Sequence, residues 1–505
     1  MNSMLNAMKS ATNYTMTENG GITHKTTNSD LLDMFAMGAA MRNRSDEDVI
    51  LMFQKAFAEN AELAMKMLFY IRDVRGGQGE RRFFRVVLKW AAGNKATRES
   101  VRKNIEYIPE FGRWDDLYTL CDTALEQDMF AFMKCQLALD LECKTPSLLA
   151  KWMKSENASS QETVRLADKT RRYLHMTHKE YRKMLSVMRA RINVLEVLMS
   201  ANRWDEIEFD KIPSRAGIIY KNAFARRDII KAKYEAFAKD ENTKVNAATL
   251  YPYEVVEKAI NLMGSCNYWS RGNSVGLDNT DRLMINKYWD GLTDYFNGAK
   301  LNALCMIDTS GSMQGTPINV ATSLGLYCAE RNKGPWHNHY ISFSSRPQLI
   351  ETSGVDFCDK VDRIVKTNLC ENTNIEAAFD MVLNTAMRNH LSQNDLPEYM
   401  IVISDMEFDQ ATGGWRRGPN MCTANAETVM ETIERKFNAA GYRMPKLIYW
   451  NVDARQANIP MIGNGYVSYV SGFSPSIFKS IITGKTGWDL MLEAIDCERY
   501  ACIHA

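Results

Sequence analysis

Asp308, Ser310 and Ser312 stand at every second position behind an apolar run, Asn302–Ile307. One carboxylate and two hydroxyls at that spacing can face a common point above a strand end, with Gly311 turning the chain between the serines. Hard oxygen donors of this kind suit Mg2+, which accepts one or two carboxylates and keeps several waters. Two later segments supply further donors. Thr373 lies just before an amphipathic run, Ile375–Asn389, and Asp405 closes a second apolar run, Tyr399–Ser404. No His or Glu stands beside these ligands in the sequence as an obvious general base, so the set points to binding and not to hydrolysis. The competing account is a polar turn that caps the helix near Ile318–Arg331, since Ser, Thr and Asp favour such positions without any metal.

The five residues Asp308, Ser310, Ser312, Thr373 and Asp405 resemble the metal-ion-dependent adhesion site of von Willebrand factor A domains. That resemblance implies a divalent cation, Mg2+ or similar, whose shell is completed by an acidic group from a partner protein.

The elements that must position these ligands alternate in type from Leu301 onward. Strands are expected at Leu301–Ile307, Asn338–Phe343, Tyr399–Ser404, Lys446–Val452 and Gly465–Val470, with Gln348–Glu351 as an antiparallel edge. Helices are expected at Ile318–Arg331, Phe357–Lys366, Ile375–Asn389 and Asn425–Asn438. The pattern predicts a doubly wound α/β sheet, Rossmann-like in its winding, with ligands at the carboxyl ends of its strands.

Residues 29–296 read instead as helix after helix, beginning with Asp30–Met41, Asp46–Phe57, Ala61–Arg72 and Glu80–Ala92. Successive helices of this length predict a HEAT-like repeat array, each pair burying its apolar face on the next. The fold class is therefore α + α/β. Three parts are expected: a flexible Thr/Asn-rich arm over 1–28, a helical domain over 29–296, and the metal-bearing domain over 297–505.

Two features of the helical part could meet an anion. The turn Arg72-Asp73-Val74-Arg75-Gly76-Gly77-Gln78-Gly79-Glu80-Arg81-Arg82 could offer backbone N–H groups to a phosphate, with Arg75, Arg81 and Arg82 alongside. It lacks the Lys-Ser/Thr of a P-loop, and an ordinary interhelical turn explains it as simply. The stretch Lys151–Arg203 holds 12 Lys and Arg against 5 Asp and Glu. Within it, Arg171 and Arg172 are candidates, and Lys179, Arg182 and Lys183 share one helix face suited to phosphates without base readout. A solvated helix surface is the plain alternative.

Whole-chain composition sets the bounds. At 505 residues, 45% hydrophobic and 24% charged, the chain is an ordinary globular protein of two or three domains. Eleven scattered cysteines without a C-x-x-C pair predict reduced thiols and a cytoplasmic setting. No 18-residue apolar run suggests a membrane span. The net charge of +1 conceals 45 Lys and Arg against 39 Asp and Glu in residues 1–300, and the opposite bias beyond. A basic front half suits an anionic partner.

Taken together, these turns and the metal motif resemble the Ro 60-kDa autoantigen and its bacterial relatives, in which a helical TROVE module precedes a von Willebrand A domain. The closer resemblance is to the DUF2828 family, through Tyr70–Arg81, Lys151-Trp152-Met153 and Lys211-Ile212-Pro213-Ser214-Arg215-Ala216. Kinship with Ro implies a ring of helical repeats that holds small structured RNAs or single-stranded RNA ends. The expected function is thus a non-enzymatic RNA-binding ribonucleoprotein scaffold. The alternative is a protein–protein assembly module whose metal captures an acidic partner residue without RNA. A metal-dependent nuclease is disfavoured for want of a catalytic base and a second metal cluster.

Overall fold

β-branched and aromatic runs bounded by turns form the sheet that the alternation predicts. The computed structural model describes residues 12–192, 195–263, 266–267, 270–271, 278–343, 346–367, 374–408, 428–462 and 467–505. The chain is mostly helical and carries one six-stranded sheet in its C-terminal part. Two compact units divide it: Met1–Asn60 with Leu250–Cys497, and Ala61–Thr249 with Glu498–Ala505. Residues 29–60 and 250–296, expected with the helices, thus group with the sheet.

The first unit opens on a hairpin, β1 (Tyr14–Met16) and β2 (Ile22–His24). The sheet follows: β3 (Ala303–Asp308), β4 (His339–Phe343), β5 (Gln348–Glu351), β6 (Tyr399–Ser404), β7 (Lys446–Asn451) and β8 (Val467–Ser471). Its strand order is β8-β7-β6-β3-β4-β5, parallel except for the β4–β5 pair. The exposed strand β5 is the antiparallel edge, as expected. Strands β3 and β6 are buried along their whole length, which is why both read as unbroken apolar runs.

Helices cover both faces of this sheet. Leu304 and Met306 of β3 join Phe379 of helix Ile375–Arg388 and Ile433 and Phe437 of helix Val429–Ala439 in one core. Ile307, pointing the other way, lies against helix Thr316–Arg331. A Cβ at Gly325 would collide with the Ile307 side chain, so glycine there sets the close approach of helix to strand.

Arm residues from Thr12 onward do not match the expected flexibility. The hairpin aligns Tyr14 with His24 and Met16 with Ile22, and His24 bridges to Ile459. The polar residues that suggested disorder satisfy backbone groups instead. Thr17 Oγ1 accepts from Gly21 N–H and donates to the Phe408 carbonyl at 2.7 Å. Asn13 Oδ1 accepts from Lys25 and Thr26 N–H, both at 3.1 Å.

The second unit is built of helices, among them Ala61–Arg72, Arg81–Gly93, Glu126–Glu142, Gln161–Tyr173 and His178–Ile192. Its centre is polar. Arg72 and Asp116, both buried, form an ion pair at 2.7 Å, and Arg85 Nε reaches the other Asp116 oxygen at 2.6 Å. A Cβ at Gly112 would meet Asp116 Oδ2, so the Phe111-Gly112-Arg113 turn closes only around glycine.

His24 is buried, 4.8 Å from the Tyr14 ring, and neither ring nitrogen has a hydrogen-bond partner among the described residues. Burial lowers its pKa, against an opposing pull from Glu431. The unfolded chain therefore takes up a proton that the folded hairpin resists, and stability falls as pH drops below about 6.5. Denaturant titrations between neutral and mildly acid pH should show a loss of at most about 1.4 kcal/mol per pH unit. His24→Phe should flatten that acid limb, and an unchanged slope in this variant would refute the assignment.

Candidate metal centre

Parallel pairing of β3 with β6 builds the site. Ile307 aligns with Ile403, so Asp308 and Ser404 stand side by side and Asp405 follows one residue on. The chain leaves β3 toward β4 on one side and leaves β6 toward β7 on the other. The carboxyl ends of β3 and β6 thus flank the topological switch point, where open α/β sheets collect ligands.

The turn after β3 is short and internally bonded. Ser310 N–H donates to Asp308 Oδ1 at 2.9 Å, and the Ser310 and Ser312 hydroxyls lie 3.0 Å apart. Adjacent ligands of an octahedral Mg2+ at about 2.1 Å are separated by about 3.0 Å, so the two serines already have the spacing of one octahedral edge. Asp308 Oδ2 accepts from Ser404 Oγ at 2.5 Å. Asp405 Oδ1 accepts from Glu407 N–H at 3.2 Å, and its Oδ2 accepts from Arg455 Nη2 at 2.6 Å. Thr373, the fifth expected ligand, lies outside the described residues.

Electrostatics favour a cation here. Burial, and then the charge of Asp405, push the Asp308 carboxyl up to about 7. Two carboxylates side by side away from water share charge poorly, and a divalent cation relieves both the desolvation and the repulsion. The donor set of carboxylates and hydroxyls fits Mg2+. Asp308, Ser310, Ser312 and Asp405 would hold it, and bound there it would supply a positive centre for an outside carboxylate. Among the described residues no cluster of three His, Cys, Asp or Glu side chains could hold a metal ion, here or elsewhere, so the candidate site rests on two carboxylates and the serine hydroxyls.

Three participants had no sequence signature. Arg455 reaches Asp405 from 50 residues away, and Ser404 reads as part of an apolar strand. Glu407, which the sequence reading passed over, is buried two residues beyond Asp405. Burial and then Asp405 and Glu18 raise its pKa to about 7, against the Glu18 N–H bond that lowers it. Its two oxygens accept from Glu18 N–H and Asn458 Nδ2, both at 2.7 Å. Glu407 thereby anchors the hairpin turn and does not stand open as a base.

The candidate anion-binding residues fall into two groups. The Gly-rich turn spends its N–H groups internally. Val74, Gln78, Gly79 and Glu80 donate to the carbonyls of Phe111, Tyr70, Asp73 and Ile71, and Arg75 N–H to Asp73 Oδ1. The buried Asp73 also holds Arg499, at 2.8 Å to Nη2, and Tyr500, at 2.9 Å. A Cβ at Gly76 would strike Arg499. Gly76 thus admits the chain's own arginine and Gly77 the Tyr70 carbonyl, as in the plain interhelical turn that is the alternative to a phosphate cradle. The Arg75 guanidinium donates to the Glu110 carbonyl, Arg81 is exposed, and Arg82 is half-buried on the first turn of its helix.

Further along, Arg171 pairs with Glu156 and Asp168, and Arg172 with Asp168. Lys179, Arg182 and Lys183 are exposed on helix His178–Ile192 and make no ion pair among the described residues. Among the candidate residues on this helix, these three form a cationic face without ion pairs.

Comparison with known proteins places these units in context. The family described as "Domain of unknown function (DUF2828)" matches residues 17–147 and 136–296. The family described as "Domain of unknown function (DUF7788)" matches residues 302–496, the segment that holds the sheet. "Uncharacterized protein L728" of Acanthamoeba polyphaga mimivirus is 29% identical over 524 residues, covering 94% of this chain and 85% of that protein. No described helix is long and apolar enough to cross a membrane.

Replacing Asp308 by its neutral isostere separates the two roles of this carboxylate. In chelator near neutral pH, Asp308→Asn should melt at or above the wild-type temperature, because the repulsion with Asp405 is gone. Millimolar Mg2+ should stabilise the wild type by about 1–3 kcal/mol and leave the variant unmoved. Equal shifts in both proteins would remove Asp308 from the metal shell.

Proposed function

We propose, for this chain, which belongs to the DUF2828 family, a non-enzymatic binding scaffold of the Ro type: a metal-dependent adhesion site on a von Willebrand A-like sheet, joined to a HEAT-like helical module that binds RNA. The observation that carries the adhesion site is the 3.0 Å approach of the Ser310 and Ser312 hydroxyls beside the buried Asp308. Mg2+ held there by Asp308, Ser310, Ser312 and Asp405 would supply a positive centre for an acidic side chain from a partner, because the shell supplies few negative charges of its own.

RNA binding is supported by a separate observation. Lys179, Arg182 and Lys183 project from one helix face without counter-ions among the described residues. A face of this kind neutralises phosphates and reads shape rather than bases. Protein–protein assembly through the metal alone remains the second reading, favoured by the same serine pair. The site serves adhesion in both readings, since Glu407, raised to about 7 like Asp308, has both oxygens engaged.

Two variants distinguish the readings. The triple change Lys179→Ala, Arg182→Ala, Lys183→Ala should weaken binding of structured or single-stranded RNA by about tenfold and reduce the salt slope by about two to three. Asp308→Ala or chelation should abolish capture of an acidic protein partner while RNA affinity stays constant. RNA binding that ignores both salt and the triple change would eliminate the ribonucleoprotein reading and leave the assembly module.

A further inference from the structure

The helical unit contains a second charged centre, made where the turn around Gly112 meets helix Arg81–Gly93. Asp115 and Asp116 lie at its middle. Arg72 and Arg85 grip Asp116, while Arg85 also binds Asp115 at 2.9 Å. Arg113 Nε binds Asp115 at 3.0 Å, and its guanidinium covers the Trp152 ring at 4.4 Å. Arg81 is near enough to act on Arg113 through its charge. Lys154 completes the group: its ammonium sits 5.0 Å over the Tyr118 ring.

The charges do not balance. Five cations, Arg72, Arg81, Arg85, Arg113 and Lys154, surround two carboxylates. The imbalance is concentrated in two residues. The half-buried Lys154 ammonium and the exposed Arg81 guanidinium form no ion pair and no side-chain hydrogen bond among the described residues; Asp115 and Asp116 act on Lys154 only through their charge. A half-buried ammonium without a directly bonded carboxylate is costly: burial lowers its pKa, Asp115 opposes that, and Arg85 and Arg113 add to it. The guanidiniums cannot shed their protons, so relief must come from an added anion.

We propose that this cluster is a phosphate-binding site, in which Lys154 and Arg81 take the oxyanion directly while Asp115 and Asp116 hold Arg85 and Arg113 in place. Planar guanidinium forks beside an ammonium suit a tetrahedral, multiply charged oxyanion better than a carboxylate. Asp115 and Asp116 are then positioning residues. They order the arginines and leave an excess of three positive charges for the ligand. The half-exposed Trp152 lies at the edge, where a base attached to the phosphate could contact it. The same chemistry is carried by a free nucleotide and by an RNA backbone, and the site stands whether or not the helix face at Lys179 binds RNA.

Calorimetric titration of the full chain with pyrophosphate, ATP and a short single-stranded RNA tests the site. Lys154→Met keeps the stem that packs on Tyr118, and Arg81→Gln changes an exposed side chain, so neither removes an ion pair seen among the described residues. At least one of the three ligands should bind the wild type, and each variant should weaken that binding about tenfold. Binding of pyrophosphate and ATP without RNA identifies a free-phosphate site, and binding of RNA alone identifies a backbone site. The proposal is overturned if none of the three binds, or if wild type and both variants bind alike. RNA affinity that survives both changes but falls in the Lys179, Arg182, Lys183 triple variant would overturn the phosphate site and retain the RNA reading.

Discussion

Two carboxylates at the ends of adjacent parallel strands govern the sheet unit. Strands β3 and β6 must pair in register to bury their apolar residues, and that register brings Asp308 and Asp405 together away from water. Hydrophobic burial thereby enforces an electrostatic penalty. The molecule offsets part of it with Arg455 at Asp405, while burial and Asp405 push the Asp308 carboxyl up. A divalent cation would offset it more completely. The juxtaposed carboxylates are thus a consequence of the fold, and a cation bound there would relieve a penalty that the strands already impose.

The helical unit solves the converse problem. There Asp116 is the buried charge, and Arg72 and Arg85 are drawn to it from two helices. Removing either partner of such a pair strands an uncompensated charge, which typically costs about 3–5 kcal/mol. A polar centre of this kind fixes which helices meet, where an apolar core of Met and Phe would tolerate sliding. Gly112 belongs to the same device, since any side chain there would displace the Asp116 carboxylate.

How much of this was legible follows from sequence distance. The strands announced themselves because β3 and β6 are buried on both faces and read as continuous apolar runs. Asp308, Ser310 and Ser312 were visible because one turn holds all three. The hairpin at 14–24 was missed because Thr and Asn look the same whether they face water or satisfy a backbone. Arg455 and Glu407 were missed because their roles depend on partners contributed by other elements. The Gly-Gly-x-Gly turn stayed ambiguous for a related reason. Glycine marks close approach, but local sequence does not say what approaches, and here it is Arg499 of the same chain. Helix ends also moved where the last turn tightened, as at Met37, beyond which Gly38–Ala40 wind as a 3-10 turn.

The clasp of Asp73 by Arg499 and Tyr500 has a bearing on biogenesis. Residues 61–249 emerge from the ribosome about 250 residues before the segment 498–505 that finishes their unit. The helices can gather early during translation, but they lock only once the distal arginine has been made. The clasp thus makes the closing of a unit begun early in the chain depend on an arginine 426 positions further along.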